Sequence, residues 1–234
     1  MTVSVAGLRQ ALDQLADLRQ GPVTLEDALE RVVTGADALF GVDGTAMLLV
    51  DRDQVLRNLA VSDERAGPLE ELQATNGEGP CIDAFDGKEP VAAGDLAAEA
   101  RWPAFSPAAV ERGLRAVLAS PIPYSDHAVG VVAVFDGGPH DWSDTEREAI
   151  VAFTELVALL ILNALEASER GRVAGELQVA LDSRVVIEQA KGVLVGRHGL
   201  TTRQAFERLR RQARDQRRPL TEVARAVVAA AEHR

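Results

Sequence analysis

The sequence predicts an α+β fold built on an antiparallel sheet with flanking helices, followed by a helical tail. Two observations carry this expectation. Along the first 165 residues the hydrophobic period runs helix, helix, strand, strand, loop, strand, helix, strand, strand, helix, without the regular alternation of a parallel sheet. Beyond that point the strand period stops and basic residues outnumber acidic ones. The chain is accordingly divided into an N-terminal amphipathic helix (residues 1–22), a sheet domain (23–165), a helical linker (166–176) and a three-helix domain (177–234).

The elements follow in order. Val5, Leu8, Leu12 and Leu15 repeat at heptad-like spacing and predict a helix over Val5 to Leu18, stopped by Gly21-Pro22. A second helix is expected from Thr24, placed as its N-cap, to Phe40. Thr45 to Val50 and Val55 to Val61 read as strands around the polar turn Asp51-Arg52-Asp53. A helix near Glu64 to Leu72 leads into a Gly/Pro loop, Asn76 to Cys81. Pro90 to Ala92 is a short strand and Trp102 to Arg112 a helix. Ala116 to Pro121 and Val129 to Phe135 are strands rich in β-branched residues, and Asp144 opens a long helix to about Arg170. In the tail, Leu177 to Arg197, Thr201 to Arg217 and Leu220 to Ala231 read as helices, with a Thr201/Gln204 capping box.

The long helix bears on assembly. Ile150, Phe153, Val157, Leu160, Ala164 and Ala167 follow a 3-4 spacing that weakens through Gly171, Ala174, Gln178 and Leu181. This predicts a short coiled coil and a homodimer formed with the N-terminal helix; the alternative is that the helix packs on its own sheet.

Composition narrows the function. The 234 residues are 47 % hydrophobic, enough for a core, but only 4 % aromatic. The single cysteine, Cys81, forbids an intrachain disulfide, and the four histidines lack ligand spacing, so no metal site is expected. No signal peptide is evident, and the most apolar stretch, Ala149 to Leu165, is short for a membrane span. A cytoplasmic location away from membranes is expected. The net charge of −11 is unevenly divided: from Glu176 onward, twelve basic and seven acidic residues give +5, leaving −16 for the remainder. That asymmetry suggests two jobs on one chain.

The positive charge is patterned. On the helix from Thr201, at about 100° per residue, Ala205, Phe206, Leu209 and Ala213 share one side. Arg203, Arg210, Arg214 and Arg217 form a stripe on the other, flanked by Arg208, Arg211 and Arg218. Such a stripe is the footprint of phosphate contact, and arginine also stacks on exposed bases. In the preceding helix Arg184, Glu188 and Lys191 share a flank, where Glu188 is placed to pair with either cation. Gly192 beside Lys191 costs up to about 1 kcal/mol against alanine in mid-helix. It implies either a close approach to the backbone from outside or tight helix–helix packing.

Leu181-Asp-Ser-Arg-Val-Val-Ile-Glu-Gln-Ala-Lys-Gly-Val-Leu194 resembles the first helix of an ANTAR domain, whose pattern is an Arg, then Ile, then Ala-Lys-Gly-x-Leu. Ala205-Phe206-x-x-Leu209-Arg210 and Leu220-x-x-Val223-Ala224 resemble its second and third helices, in order, over residues 177–230. The resemblance implies a three-helix module that binds paired RNA hairpins in nascent transcripts and prevents terminator formation. It marks Arg184, Gln189, Ala190, Lys191, Gly192 and Arg210 as RNA-contact candidates. Arg203, Arg214 and Arg217 join them on the charge stripe alone.

In the sheet domain, Gly77-Glu-Gly-Pro-Cys81, Arg101-Trp-Pro103 and Ser120-Pro-Ile-Pro123 resemble the GAF domains found fused to ANTAR tails in actinobacterial proteins, over about residues 24–165. GAF domains are small-molecule or redox sensors, so the resemblance implies an effector; the sequence carries no cyclic-nucleotide signature or chromophore attachment site that would name it. Cys81 is a candidate redox-sensing thiol if exposed and acidified, and otherwise a small core residue. No nucleophile elbow or phosphate-binding glycine loop is found, so no enzyme is expected. The leading reading is an RNA-binding antitermination regulator with a sensor domain. The alternatives are a DNA-binding regulator and a dimerising interaction protein that binds no nucleic acid. Against DNA, the arginines run the length of the helix, whereas base-reading helices concentrate contacts near one end.

Overall fold

The computed structural model describes residues 25–51, 54–167 and 172–232, with side chains described over 29–51, 54–69, 71–162 and 183–231. The expected N-terminal helix and the Thr24 cap lie outside these residues, and the side chains of the weakening heptads beyond Leu162 lie outside those described. The chain divides into two compact units, residues 1–49 with 56–174 and residues 50–55 with 175–234.

In the first unit, α1 (Leu25–Phe40) turns one apolar face inward, because Leu29, Val32, Val33, Ala36, Leu39 and Phe40 recur at helical spacing and are buried. Strands β1 (Gly44–Val50), β2 (Leu56–Val61), β3 (Val91–Ala93), β4 (Ala116–Tyr124) and β5 (His127–Asp136) form one sheet in the order β2-β1-β5-β4-β3. The β1–β5, β5–β4 and β4–β3 pairs are antiparallel. The continuous apolar runs of β1, β4 and β5 follow from burial: Ala116 to Ser120 has no accessible residue, so both faces of β4 are covered. Gly130 of β5 is required by close approach, since an added Cβ would collide with the backbone of Leu48 on β1.

β4 runs past its expected end at Pro121. Two prolines fit because β3 pairs only with Val117 to Ala119, leaving that side of β4 without a ladder beyond Ala119, and the register shifts at Ile122/Pro123.

Helix α2 (Gly67–Asn76) starts later than expected and ends on left-handed Gly77. The segment read as a Gly/Pro loop is corrected: its last residues open α3 (Pro80–Gly87), with the proline in the first turn, where no amide donor is needed. Gly79, at φ 136°, is a backbone state that an L side chain rarely adopts, and a Cβ there would strike Gln73. The buried Gln73 amide instead accepts the Cys81 N–H at 2.9 Å. Trp102, also buried, donates Nε1–H to Asp83 Oδ2 at 2.8 Å. Helix α4 (Phe105–Glu111) begins where Glu78 Oε1 accepts the N–H groups of Ala104 and Phe105 at 2.6 and 3.2 Å.

Helix α5 (Asp144–Ala167) packs on β4, with Thr154 Oγ1 3.2 Å from Ser120 Oγ and Phe153 edge-on to Phe40 of α1. This corrects the coiled-coil register. Ile150, Phe153 and Val157, read as a dimer seam, are buried in the chain's own core. Among the described residues of α5, the large apolar side chains left outside are Leu156 and Leu159, 43 % and 57 % exposed. The start of α5 is fixed by a polar cluster. Glu146, 1 % exposed, accepts the Ser143 N–H and hydroxyl at 2.8 and 2.7 Å. The His140 ring, stacked on Trp142, reaches Glu146 Oε1 from Nε2 at 2.9 Å and Asp136 Oδ2 from Nδ1 at 3.1 Å. Burial pushes the Glu146 carboxyl up, but the bonds from Ser143 and His140 together outweigh it and hold the group below its ordinary value.

Candidate nucleic-acid interface

The second unit is built by α6 (Arg172–His198), α7 (Thr202–Gln216) and α8 (Leu220–Glu232). Each boundary has a local cause. Gly199, at φ 62°, ends α6. Thr201 Oγ1 accepts the Gln204 N–H at 3.2 Å while Gln204 Oε1 accepts the Thr201 N–H at 2.9 Å, the capping box expected from the sequence. α7 stops at Gln216. Arg217 takes a left-handed conformation, φ 49°, as its C-cap, so it stands at the end of the arginine stripe as a turn residue and not on the helix.

The three helices meet through small and branched residues: Ile187, Ala190 and Leu194 of α6, Ala205, Leu209 and Ala213 of α7, and Leu220, Val223 and Ala224 of α8. Beside this core an outer side chain of α6 meets one of α7. That contact forms the candidate site.

Lys191 of α6 and Arg210 of α7 converge on Phe206, which rests against the core and is only partly buried. Lys191 Nζ lies 5.6 Å, and Arg210 Cζ 5.8 Å, from the centroid of its ring. Both distances are within cation–π reach. Each cation is also held by an acid on its own helix: Lys191 Nζ is 2.7 Å from Glu188 Oε1, and Arg210 Nη1 is 3.6 Å from Glu207 Oε1. Partly exposed pairs of this kind contribute little to stability. They hold two long side chains over one aromatic ring and yield readily to a stronger anion.

The other candidates divide. Gln189 and Gly192 are exposed on α6, and Arg203 and Arg214 are exposed on α7 beside Arg208 and Arg211. Gly192 has nothing within 4 Å of where a Cβ would stand, so the tight-packing explanation of this glycine fails. Ala190 is corrected: with 0 % of its surface accessible it serves the core and offers no contact to a ligand. Arg184 is 5 % exposed; Nη1 donates to Gln54 Oε1 at 3.1 Å and Nη2 lies 3.9 Å from Glu188 Oε1. Phe206 was assigned to the apolar side of its helix and its part in the site was missed. The available signal was a rare aromatic, in a chain with 4 %, set in a helix crowded with arginine.

Cys81 is corrected as well. It is 1 % exposed in the first turn of α3, so it lacks the access that a sensing thiol needs and acts as a small core residue. Among the described residues, no group of three or more His, Cys, Asp or Glu is placed to hold a metal ion, and no helix is long and apolar enough to cross a membrane.

Comparison with known proteins places both units. The GAF domain family matches residues 24–161 and the ANTAR domain family matches residues 175–228. The chain is 32 % identical over 90 residues to the nitrate regulatory protein of Klebsiella oxytoca, an alignment covering 38 % of this chain and 22 % of that protein. The chain thus spans about a fifth of the length of this relative. Among solved structures, the GAF domain of an Acinetobacter phosphoenolpyruvate-protein phosphotransferase superposes with a TM-score of 0.54 at 19 % identity, over 70 % of this chain and 98 % of that one. The corresponding GAF domain from Coxiella burnetii gives 0.53 at 18 % identity, over 68 % and 94 %. A GAF domain from Synechocystis gives 0.52 at 16 % identity, over 63 % and 100 %. At these identities the likeness concerns the fold.

Proposed function

Because this chain belongs to the GAF family and carries a C-terminal ANTAR domain, we propose that it is a transcription antitermination regulator whose tail binds paired hairpins in nascent RNA under control of the GAF domain. The observation that carries this reading is the convergence of Lys191 and Arg210, from two helices, on one surface of the ANTAR unit. Exposed Arg203, Arg208, Arg211 and Arg214 extend the positive surface along α7. Cations set along a helix take phosphate from a folded RNA, and their number sets the salt dependence of binding. The GAF domain is the input, with a small-molecule effector of unassigned chemistry. The protein acts as a regulator and not as an enzyme, in the cytoplasm, where transcripts are made.

It does so as a homodimer. Leu156 and Leu159 place two large apolar side chains in water on one side of α5, opposite the residues that pack on the sheet, and a second copy of α5 is the cover proposed for them.

The experiment titrates a fluorescent pool of tandem RNA hairpins with randomised loops, and duplex DNA of matched length, with the full chain at one salt concentration. The expected result is tighter binding to RNA, weakened by Lys191→Ala and by Arg210→Ala with helical circular dichroism unchanged. Tighter binding to duplex DNA would sink the antitermination reading. A collapse of helicity in either variant would make those residues structural.

A further inference from the structure

Phosphate contact accounts for the cations of this surface but not for the aromatic ring between them. An exposed lysine and arginine meet phosphate equally well from any helix, and neither needs Phe206. Yet Phe206 is placed where both reach it, 5.6 and 5.8 Å from its centroid, on a helix whose other outward positions are almost all polar. Its partial exposure leaves apolar ring surface in water, which a leucine in the core would not.

We propose that Phe206 and Arg210 together form a stacking platform for one unpaired base of an RNA loop, with Lys191 taking the phosphate beside it. This rests on the RNA-binding reading above and adds the class of nucleotide and the residues that receive it. The ring is the fixed part, because it packs against the core formed by Ile187, Leu194 and Leu209 with their neighbours. The guanidinium is the movable part, 5.8 Å from the ring centroid and 3.6 Å from Glu207 Oε1. A base laid against the guanidinium stacks on its plane, and one laid against the ring displaces the guanidinium onto phosphate. Both use arginine's planarity, which lysine lacks. Glu188, 2.7 Å from Lys191 Nζ, holds the ammonium in the position that a nucleotide phosphate then competes for. A base within a duplex has both faces covered by its neighbours. The platform therefore selects a loop, bulge or end over a continuous helix.

The test uses the full chain and the tightest-binding hairpin recovered from the randomised pool. Arg210→Lys keeps the charge and removes the plane; Phe206→Leu keeps the apolar packing and removes the ring. Each is expected to weaken binding about tenfold, within the range for loss of one stacked base, while Phe206→Tyr stays within about threefold of wild type. The second arm replaces each loop nucleotide in turn by an abasic one. One position should cost the wild type about tenfold and cost Phe206→Leu nothing further, the coupling expected when base and ring touch. Wild-type affinity in both Arg210→Lys and Phe206→Leu, or abasic penalties that are the same in wild type and Phe206→Leu, overturns the platform and leaves RNA binding standing. Absence of RNA binding by the wild type defeats the parent reading and the platform with it. If Phe206→Leu loses helicity, Arg210→Lys and the abasic scan against Phe206→Tyr decide: no position at which the base matters, or full affinity with lysine, refutes the proposal.

Discussion

Replacing Gly192 by alanine separates folding from binding, because the two are expected to move in opposite directions. Gly192 lies within the 27-residue helix α6, it is exposed, and no atom stands within 4 Å of the position a Cβ would take. In the folded chain nothing opposes the methyl group. The substitution then reduces the backbone freedom of the unfolded chain and stabilises the helix by about 0.8–1 kcal/mol. In native-state hydrogen exchange, the amides of α6 that open locally should slow by about four- to fivefold, since 1.4 kcal/mol is tenfold. RNA binding should weaken. Gly192 adjoins Lys191 in sequence, and a methyl group forced into a fitted contact costs about 1–3 kcal/mol, so the hairpin affinity should fall about fivefold or more. Gly196 is the matched control, equally exposed and equally open to a Cβ but one turn away from the cations. Gly196→Ala should slow exchange by a similar factor and leave affinity unchanged. Hairpin affinity preserved in Gly192→Ala would refute the idea that this glycine exists for a ligand, and faster exchange would refute the account of the open space around it.

Two further outcomes follow from the GAF unit. Leu156→Asp with Leu159→Asp should convert a dimer to a folded monomer in light scattering at micromolar concentration, because both side chains are largely outside the core. A monomeric wild type, or an unchanged dimer in the double variant, removes α5 as the interface, while Val157→Asp should unfold the domain whatever its oligomeric state. The Glu146 carboxyl is held below its ordinary value of 4.5, so its stabilisation is fully present above that pH and is lost as pH falls through the lower folded value. Denaturant midpoints followed downward from neutral pH should show this loss below about pH 4.5 in wild type and a shallower one in Glu146→Gln; equal acid slopes in the two proteins would mean that the cluster at the start of α5 does not carry it.

Much of the architecture was legible because period and turn chemistry agree locally. The strand runs of β1 and β5, the Thr201 box and the Gly199 stop each depend on residues adjacent in sequence. What was misread depends on partners that adjacency does not supply. Pro80 reads as a loop breaker until its place in a first turn is known, and then it starts a helix. α5 is apolar on several sides, so its period marks Ile150, Phe153 and Val157 as a face without saying whether another chain or the chain's own sheet covers it. The cations of the candidate site were visible as a stripe on one helix. The meeting of Lys191 with Phe206 requires α6 and α7 to be brought together, and Ala190 is buried in the core that the three helices share.

The length of α6 gives Lys191 a fixed phase. Arg172 to His198 is one uninterrupted helix of about 40 Å, and among its described side chains Ile187, Ala190 and Leu194 enter the three-helix core. The upstream turns form the shaft of this helix, along which the angle between Arg172 and Lys191 is set by the helical repeat. Each residue inserted or deleted along the shaft turns the distal face by about 100°, and seven residues restore it to within about 20°. An input at the proximal end would reach the cations as an angle.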